Sequence, residues 1–337
     1  MIPIEYYIPT YYVAISLVLV FSTLPLFKYT YLENFPTINL QAGSVFLLLV
    51  TIAFIGLRDP WGHWSYLGDT GAYTRTYDLI QEGIRTEFSK DVGFYIFMKL
   101  CSQIMGVQGF YLLSAILYVG LPYLTFKKWF GQYAFFALAA FVTAMSFWSY
   151  GINTMRNGLA AAIFIFALGF RDKRWMSYAL MLLAVTFHKS MLLPLLAYIT
   201  TVFYTNTKIL VLFWLGCIPL SLIIGQDLET LVGGIFTSDT VIADERALTY
   251  FSGQDTNLYT DQRFRIDFVV YSAIPIALAY WQIFRKRYKI NVAIISWFLM
   301  PIILIYPFLE KQNLSKTNNI LLIIFGLFSF SLIIKFL

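Results

Sequence analysis

The side chains able to do chemistry are few in this chain, and they gather in three stretches. The first opens Arg58-Asp59-Pro60-Trp61-Gly62-His63-Trp64. It continues through Gly68-Asp69-Thr70-Gly71-Ala72-Tyr73-Thr74-Arg75-Thr76-Tyr77-Asp78. Asp69, Tyr73 and Tyr77 fall at i, i+4 and i+8. If Thr70 opens a helix, Asp69 is its N-cap and the two tyrosines share a face. Two readings stand. One is an interfacial aromatic helix with an ordinary cap. The other is a carboxylate held at a helix start between Arg58 and Arg75, beside rings that stack on sugars. Gly68 and Gly71 let a ligand approach the backbone closely.

The second stretch is Asn153-Thr154-Met155-Arg156-Asn157-Gly158, leading into Ala160-Ala161-Ala162. The small residues invite a neighbouring helix to pack closely. Arg156 either snorkels to the headgroups or completes an anion site with the N–H groups of a helix N-terminus. The third stretch is Phe187-His188-Lys189-Ser190, and it holds one of only 2 histidines. Arg263 and Arg265 precede a later apolar run, flanked by Asp261 and Asp267, as a salt-bridged anchor or as further anion contacts. There is no His-x-x-x-His, Asp-x-Asp, nucleophile elbow or phosphate loop, and Asp227-Leu228-Glu229 stands isolated. No metal and no nucleotide cofactor is expected. Cys101 and Cys217 lie far apart in apolar surroundings and read as small buried hydrophobes.

The elements that must carry these residues follow from composition. Of 337 residues, 59% are hydrophobic and 12% charged, with mean hydropathy +0.69. Ordinary globular proteins are about 25% charged. So few charges cannot cover a water-facing surface. A soluble enzyme, a disordered chain and a nucleic-acid binder are excluded, despite a pI of about 9.1. Long apolar runs, without alternation, exclude a β-barrel. The expected fold is an all-α integral membrane protein, a single polytopic domain over 1–337. It has about 11 transmembrane helices, near 9–27, 41–57, 108–126, 132–150, 157–170, 175–188, 191–204, 209–225, 266–284, 291–309 and 318–336. Val92 to Met105 is apolar but short, and reads as a re-entrant or interfacial helix. The start of the chain, with Glu5 and no Lys or Arg, does not read as a cleavable signal peptide.

Dense basic turns mark the cytoplasmic side: Lys28; Lys127 and Lys128; Arg171, Lys173 and Arg174; Lys208; and Arg285, Lys286, Arg287 and Lys289. The N-terminus and the long segments 58–91 and 226–265 then face outward. The runs 157–170 and 175–188 form a hairpin about the turn 171–174. At about 1.5 Å per residue, Arg156 and His188 both rise ~24 Å above that turn. Short connections make such helices antiparallel neighbours, so Arg156, His188 and Lys189 meet at the outer leaflet, an anion site in outline.

These stretches, in this order, resemble the EpsG-like branch of the Wzy-type polysaccharide polymerases, bacterial inner-membrane proteins. The pattern is an Arg ending the second run, Gly-x-x-x-x-Tyr around an Asp, an Asn-x-x-Arg-x-Gly-x-Ala helix start, and Phe-His-Lys-Ser. It covers roughly 41–200. The family usually has Arg-Gln where this chain has Arg156-Asn157. Its acidic-Gly pair is here one residue longer, Asp91-Val92-Gly93, so no role carries over to Asp91. The resemblance implies a GT-C-like fold and a glycosyltransferase that makes O-antigen or exopolysaccharide without a metal or other cofactor. The site faces the periplasm or exterior. Donor and acceptor are oligosaccharides on polyprenyl pyrophosphate in the lipid bilayer, and a chain-length regulator is a further candidate partner. Asp69, Arg156 and His188 carry over as functional positions, supported by Arg58. An acceptor hydroxyl attacks the donor's anomeric carbon and the pyrophosphate lipid leaves. Arg156 and Arg58, with Lys189 nearby, meet the pyrophosphate. Asp69 is the first choice of base, and His188 is either a phosphate contact or the base. The rival readings are a transporter or flippase of lipid-linked oligosaccharide and a membrane O-acyltransferase. Transporters place polar residues near the bilayer midplane, whereas these ionisable residues cluster at the outer rim.

Overall fold

The computed structural model describes residues 3–28, 36–84, 90–144 and 147–203, with isolated helical positions between 209 and 219 and at 273. The last three expected spans, the segment 226–265, Arg263 and Arg265 lie outside the described residues, as does most of 209–225. The described residues up to Ala197 belong to one compact unit, and a second begins at Tyr198.

Among the described residues every regular element is helical. Three stretches are long and apolar enough to cross a membrane: Ile4–Thr23, Thr37–Gly56 and Val107–Val142. This is the architecture of a helical membrane protein. In chain order, α1 is Ile4–Thr23, α2 Thr37–Gly56, α3 Trp64–Leu67, α4 Thr70–Gln81, α5 Val92–Ile104 and α6 Val107–Phe130. Then follow α7 Ala134–Val142, α8 Phe147–Ile152, α9 Met155–Leu168, α10 Arg174–Phe187 and α11 Leu192–Phe203.

The expected span 132–150 is not one helix. It divides into α7 and α8. Every residue of α7 is buried, against α2 and α6. An apolar run of nine residues rises only about 14 Å, so α7 alone is too short to cross, and α7 and α8 together carry the chain from the end of α6 to the start of α9. Within the long segment after α2, α3 and α4 fold as helices. Val92–Ile104 is a short helix, as its length implied.

α9 is the central element and is buried along nearly its whole length, packed on α6, α8 and α10. Gly158 allows this, because a Cβ there would run into the Tyr150 carbonyl oxygen. The alanines 160–162 continue the close approach. α9 and α10 form the expected antiparallel pair. Ser177 Oγ donates to the Ala167 carbonyl at 2.9 Å beside the turn. Lys128 at the end of α6 donates to the Gly169 carbonyl and lies 3.6 Å from Asp172. Both helices have 14 residues, about 21 Å of rise, less than the roughly 30 Å hydrocarbon thickness. The open end of the hairpin is where the polar residues collect.

Candidate functional site

The open end is built from α4, α5, α9 and α10. Arg156 is the second residue of α9. Its Nη1 donates to Asp91 Oδ2 at 2.8 Å. The Asp91 side chain is 9% exposed and the Arg156 side chain 31%. The carboxylate is therefore sealed beneath the guanidinium, and the guanidinium has the open face. One edge of the fork is fixed and the remaining N–H donors can serve an anion. The Tyr73 hydroxyl also lies against this guanidinium.

Asp91 occupies the N-cap position of α5 at φ 50°, ψ 43°. Among the described residues it is the one non-glycine residue with positive φ. Such a backbone costs on the order of 1 kcal/mol, although Asp tolerates it better than most residues. Its carboxylate does not cap α5 but turns to Arg156, and that contact is the return on the strained backbone. Gly93 brings α5 onto α10, where a Cβ would collide with Thr186. Phe94 packs on Tyr73 at 5.9 Å and Phe187 at 6.4 Å. These contacts draw α4, α5 and α10 together around the ion pair.

His188 follows the last residue of α10. Ser190 Oγ sits 2.7 Å from its Nδ1 and 3.1 Å from the Asn157 side-chain amide. The hairpin arithmetic is thus met in space: residues 156–157 and 188–190 share one end. Burial holds the His188 imidazole below its ordinary value, and the Arg156 charge pushes the same way against the upward pull of Asp91. Lys189, half-buried, opens the 3-10 turn Lys189–Met191 beside it.

Asp69 stands where α4 begins, as its spacing implied, but it makes no side-chain cap. Its backbone, at φ −74° and ψ 9°, is near-helical and departs from the extended form that lets a cap fold back. Gly68 takes φ +52° against the Asn153 side chain, and Asn153 Oδ1 accepts from the Asp69 N–H at 3.0 Å. Asn153, three residues before Arg156, so ties the Asp69 loop to the start of α9. The Asp69 carboxylate acts electrostatically on Tyr73, and Tyr73 on Arg156.

Four expected contacts fall elsewhere. Arg58 is 0% exposed, so it has no face for a pyrophosphate. Its Nε donates to Thr70 Oγ1 at 3.1 Å, Nη1 to the Ile55 carbonyl and Nη2 to Met155 Sδ at 3.5 Å. Its guanidinium lies 4.0 Å from the centre of the Tyr111 ring. Burial lowers its pKa to about 10, which leaves it charged at pH 7. Arg58 pins the end of α2 to the starts of α4 and α9, and so positions the site from below. Tyr77 is buried, its ring 5.2 Å from Phe110 and its hydroxyl donating to the Met105 carbonyl at 2.6 Å. Tyr73 is also buried. Packing by α5 and α6 covers the aromatic face that was to stack on sugars; only the Tyr73 hydroxyl stays at the site. Arg75 is exposed, roughly 200° around α4 from Tyr73, away from this cluster.

Residues the sequence reading passed over are Asp91, Asn153, Asn157 and Ser190. The acidic residue before a Gly-containing helix start was the one available signal for Asp91. Among the described residues no group of His, Cys, Asp and Glu has the geometry to hold a metal ion.

No curated protein and no solved structure matches this chain. The EpsG family model matches residues 42–337, taking in the whole of the cluster just described, and the chain belongs to the EpsG family.

Proposed function

We propose that the protein is a bacterial polysaccharide polymerase. It transfers a growing glycan from polyprenyl pyrophosphate to a sugar hydroxyl of a lipid-linked repeat unit, at the outer face of the cytoplasmic membrane. The observation that carries this reading is the half-open Arg156 guanidinium, oriented by a sealed Asp91, at the open end of the α9–α10 hairpin. A polyprenyl pyrophosphate presents its charge at that level. An arginine fork meets phosphate at two points and stays charged throughout the reaction. Asp69 is the base for the attacking hydroxyl, held on the α4 side of the same cluster through Asn153. Membership of the EpsG family supports a polymerase-like role.

The test is chain growth by purified protein in liposomes containing lipid-linked single repeat units. A ladder of increasing length, undiminished by EDTA, is expected. Movement of units across the bilayer without growth would replace this reading with a flippase. Acyl transfer at constant length would replace it with an acyltransferase. Growth lost with EDTA and restored by Mg²⁺ would refute a site that relies on arginine charge.

Orientation is tested separately. Ser65 in α3 and Lys173 in the hairpin turn are both exposed. A Ser65→Cys variant should react with an impermeant thiol reagent from outside intact cells, and Lys173→Cys only after lysis. The opposite pattern would place the cluster on the cytoplasmic side and end the polymerase mechanism as drawn.

A further inference from the structure

His188 has two groups of one neighbour on the same nitrogen. The Ser190 backbone N–H donates to Nδ1 at 3.3 Å, and Ser190 Oγ is 2.7 Å away. The Ser190 hydroxyl in turn lies 3.1 Å from Asn157 Oδ1. These groups differ in one respect that decides the polarity of the chain. A backbone N–H can only donate. A hydroxyl rotates, and a terminal amide can turn end for end without changing shape. The fixed donor therefore sets the others. Nδ1 accepts and the hydroxyl hydrogen points to Nδ1, so the Asn157 amide turns end for end, bringing its NH₂ to Ser190 Oγ in place of Oδ1. The ring proton then sits on Nε2. The backbone of His188, at φ −157° and ψ 125°, is extended, which breaks α10 and lets the next turn fold Ser190 back onto the ring.

We propose that His188 is an N–H donor to the departing pyrophosphate, through Nε2, and is not the base; Ser190 and Asn157 are the positioning residues that fix this tautomer. This rests on the polymerase reading and refines it. In the step, the acceptor hydroxyl oxygen bonds to the anomeric carbon and its proton passes to the Asp69 carboxylate. The bond from that carbon to the pyrophosphate oxygen breaks, and the electron pair leaves on that oxygen. Arg156 and the His188 Nε2–H meet the charge that develops there. A neutral imidazole serves well, since it donates without giving up its proton.

Two measurements test this. With surface His63 replaced (His63→Gln), one imidazole remains, and ¹⁵N NMR of histidine-labelled protein in nanodiscs reads its protonated nitrogen without any substrate. A proton on Nε2 is expected, with Ser190→Ala and Asn157→Leu shifting the ring toward a mixture and Ser190→Thr restoring it. A proton on Nδ1 in the otherwise native site overturns the proposal, as does a tautomer indifferent to Ser190 and Asn157. In the chain-growth assay, His188→Gln should keep a measurable part of kcat while His188→Ala loses roughly 10²-fold, because the Gln amide still donates. Ser190→Ala and Asn157→Leu should lower kcat several-fold with KM unchanged. Gln as inactive as Ala would make His188 the base. Absence of chain growth by the native protein would sink the polymerase reading and the donor role with it, whereas a wrong tautomer in a protein that does grow chains would sink the donor role alone.

Discussion

Arg156→Lys should fail nearly as badly as Arg156→Ala, each losing roughly 10²–10³-fold in chain growth. A lysine keeps the charge, so a site working by charge alone would tolerate it. The geometry says otherwise. Nη1 is committed to Asp91 at 2.8 Å, and the function lies in the rest of the planar fork. A single ammonium at the end of a flexible stem faces a choice between the Asp91 carboxylate and the pyrophosphate. Asp91 is sealed and always present, so it wins. The variant then carries a neutralised pair where a directed cation is needed. A hydrogen bond to a charged group contributes about 1.5–3 kcal/mol net, and one such donor lost in the transition state accounts for the expected factor. The measurement is polymer length and turnover of lipid-linked units for each variant, at matched membrane expression. Wild-type polymer from Arg156→Ala would show that the residue only anchors α9 at the headgroups. Substantial activity in Arg156→Lys alone would reduce its role to charge.

What could be read in the sequence was whatever depends on local chain geometry. A turn rich in Arg and Lys, two apolar runs of similar length and the 1.5 Å rise of a helix were enough to bring residue 156 level with residue 188. The 3.1 Å contact between Asn157 and Ser190 is the spatial form of that arithmetic. The start of α4 at Thr70 was legible for the same reason. Helix spacing says which residues share a face, however, and not which neighbour covers it. Tyr73 and Tyr77 do share a face, and α5 and α6 bury it. Arg58, ending an apolar run, was expected to meet the pyrophosphate. Only the tertiary arrangement shows the Thr70 hydroxyl, the Ile55 carbonyl and the Tyr111 ring that replace its water. Asp91 was the hardest to foresee. Its partner is 65 positions away, and its left-handed backbone is not a property that sequence periodicity records. In an apolar run such as 132–150, hydrophobicity says that residues leave water. It does not distinguish lipid from protein as the surroundings.

Asp91 also yields the sharpest separation of backbone from side chain. Asp91→Gly and Asp91→Ala both delete the carboxylate, but they treat the backbone oppositely. Glycine adopts φ near +50° freely, whereas alanine inherits the strain without the compensating ion pair. Asp91→Gly should therefore be the more stable of the two by about 1 kcal/mol, read as the thermal midpoint of detergent-solubilised protein. Neither should lose the 3–5 kcal/mol or so typical of breaking a fully buried pair. Arg156 is 31% exposed, so water and headgroups can compensate its charge. Activity should follow the carboxylate and not the stability. Both variants should fall roughly tenfold to a hundredfold, because an unheld guanidinium samples orientations in which its open edge misses the phosphate. Combining Asp91→Gly with Arg156→Ala should cost no more than Arg156→Ala alone, the non-additivity expected of two residues that act as one device. If Asp91→Gly polymerises like the native protein, Arg156 needs no partner to orient it. If the double variant instead loses the product of the two factors, Asp91 acts on the reaction by a route of its own, and the carboxylate beneath the arginine becomes a second candidate for the base.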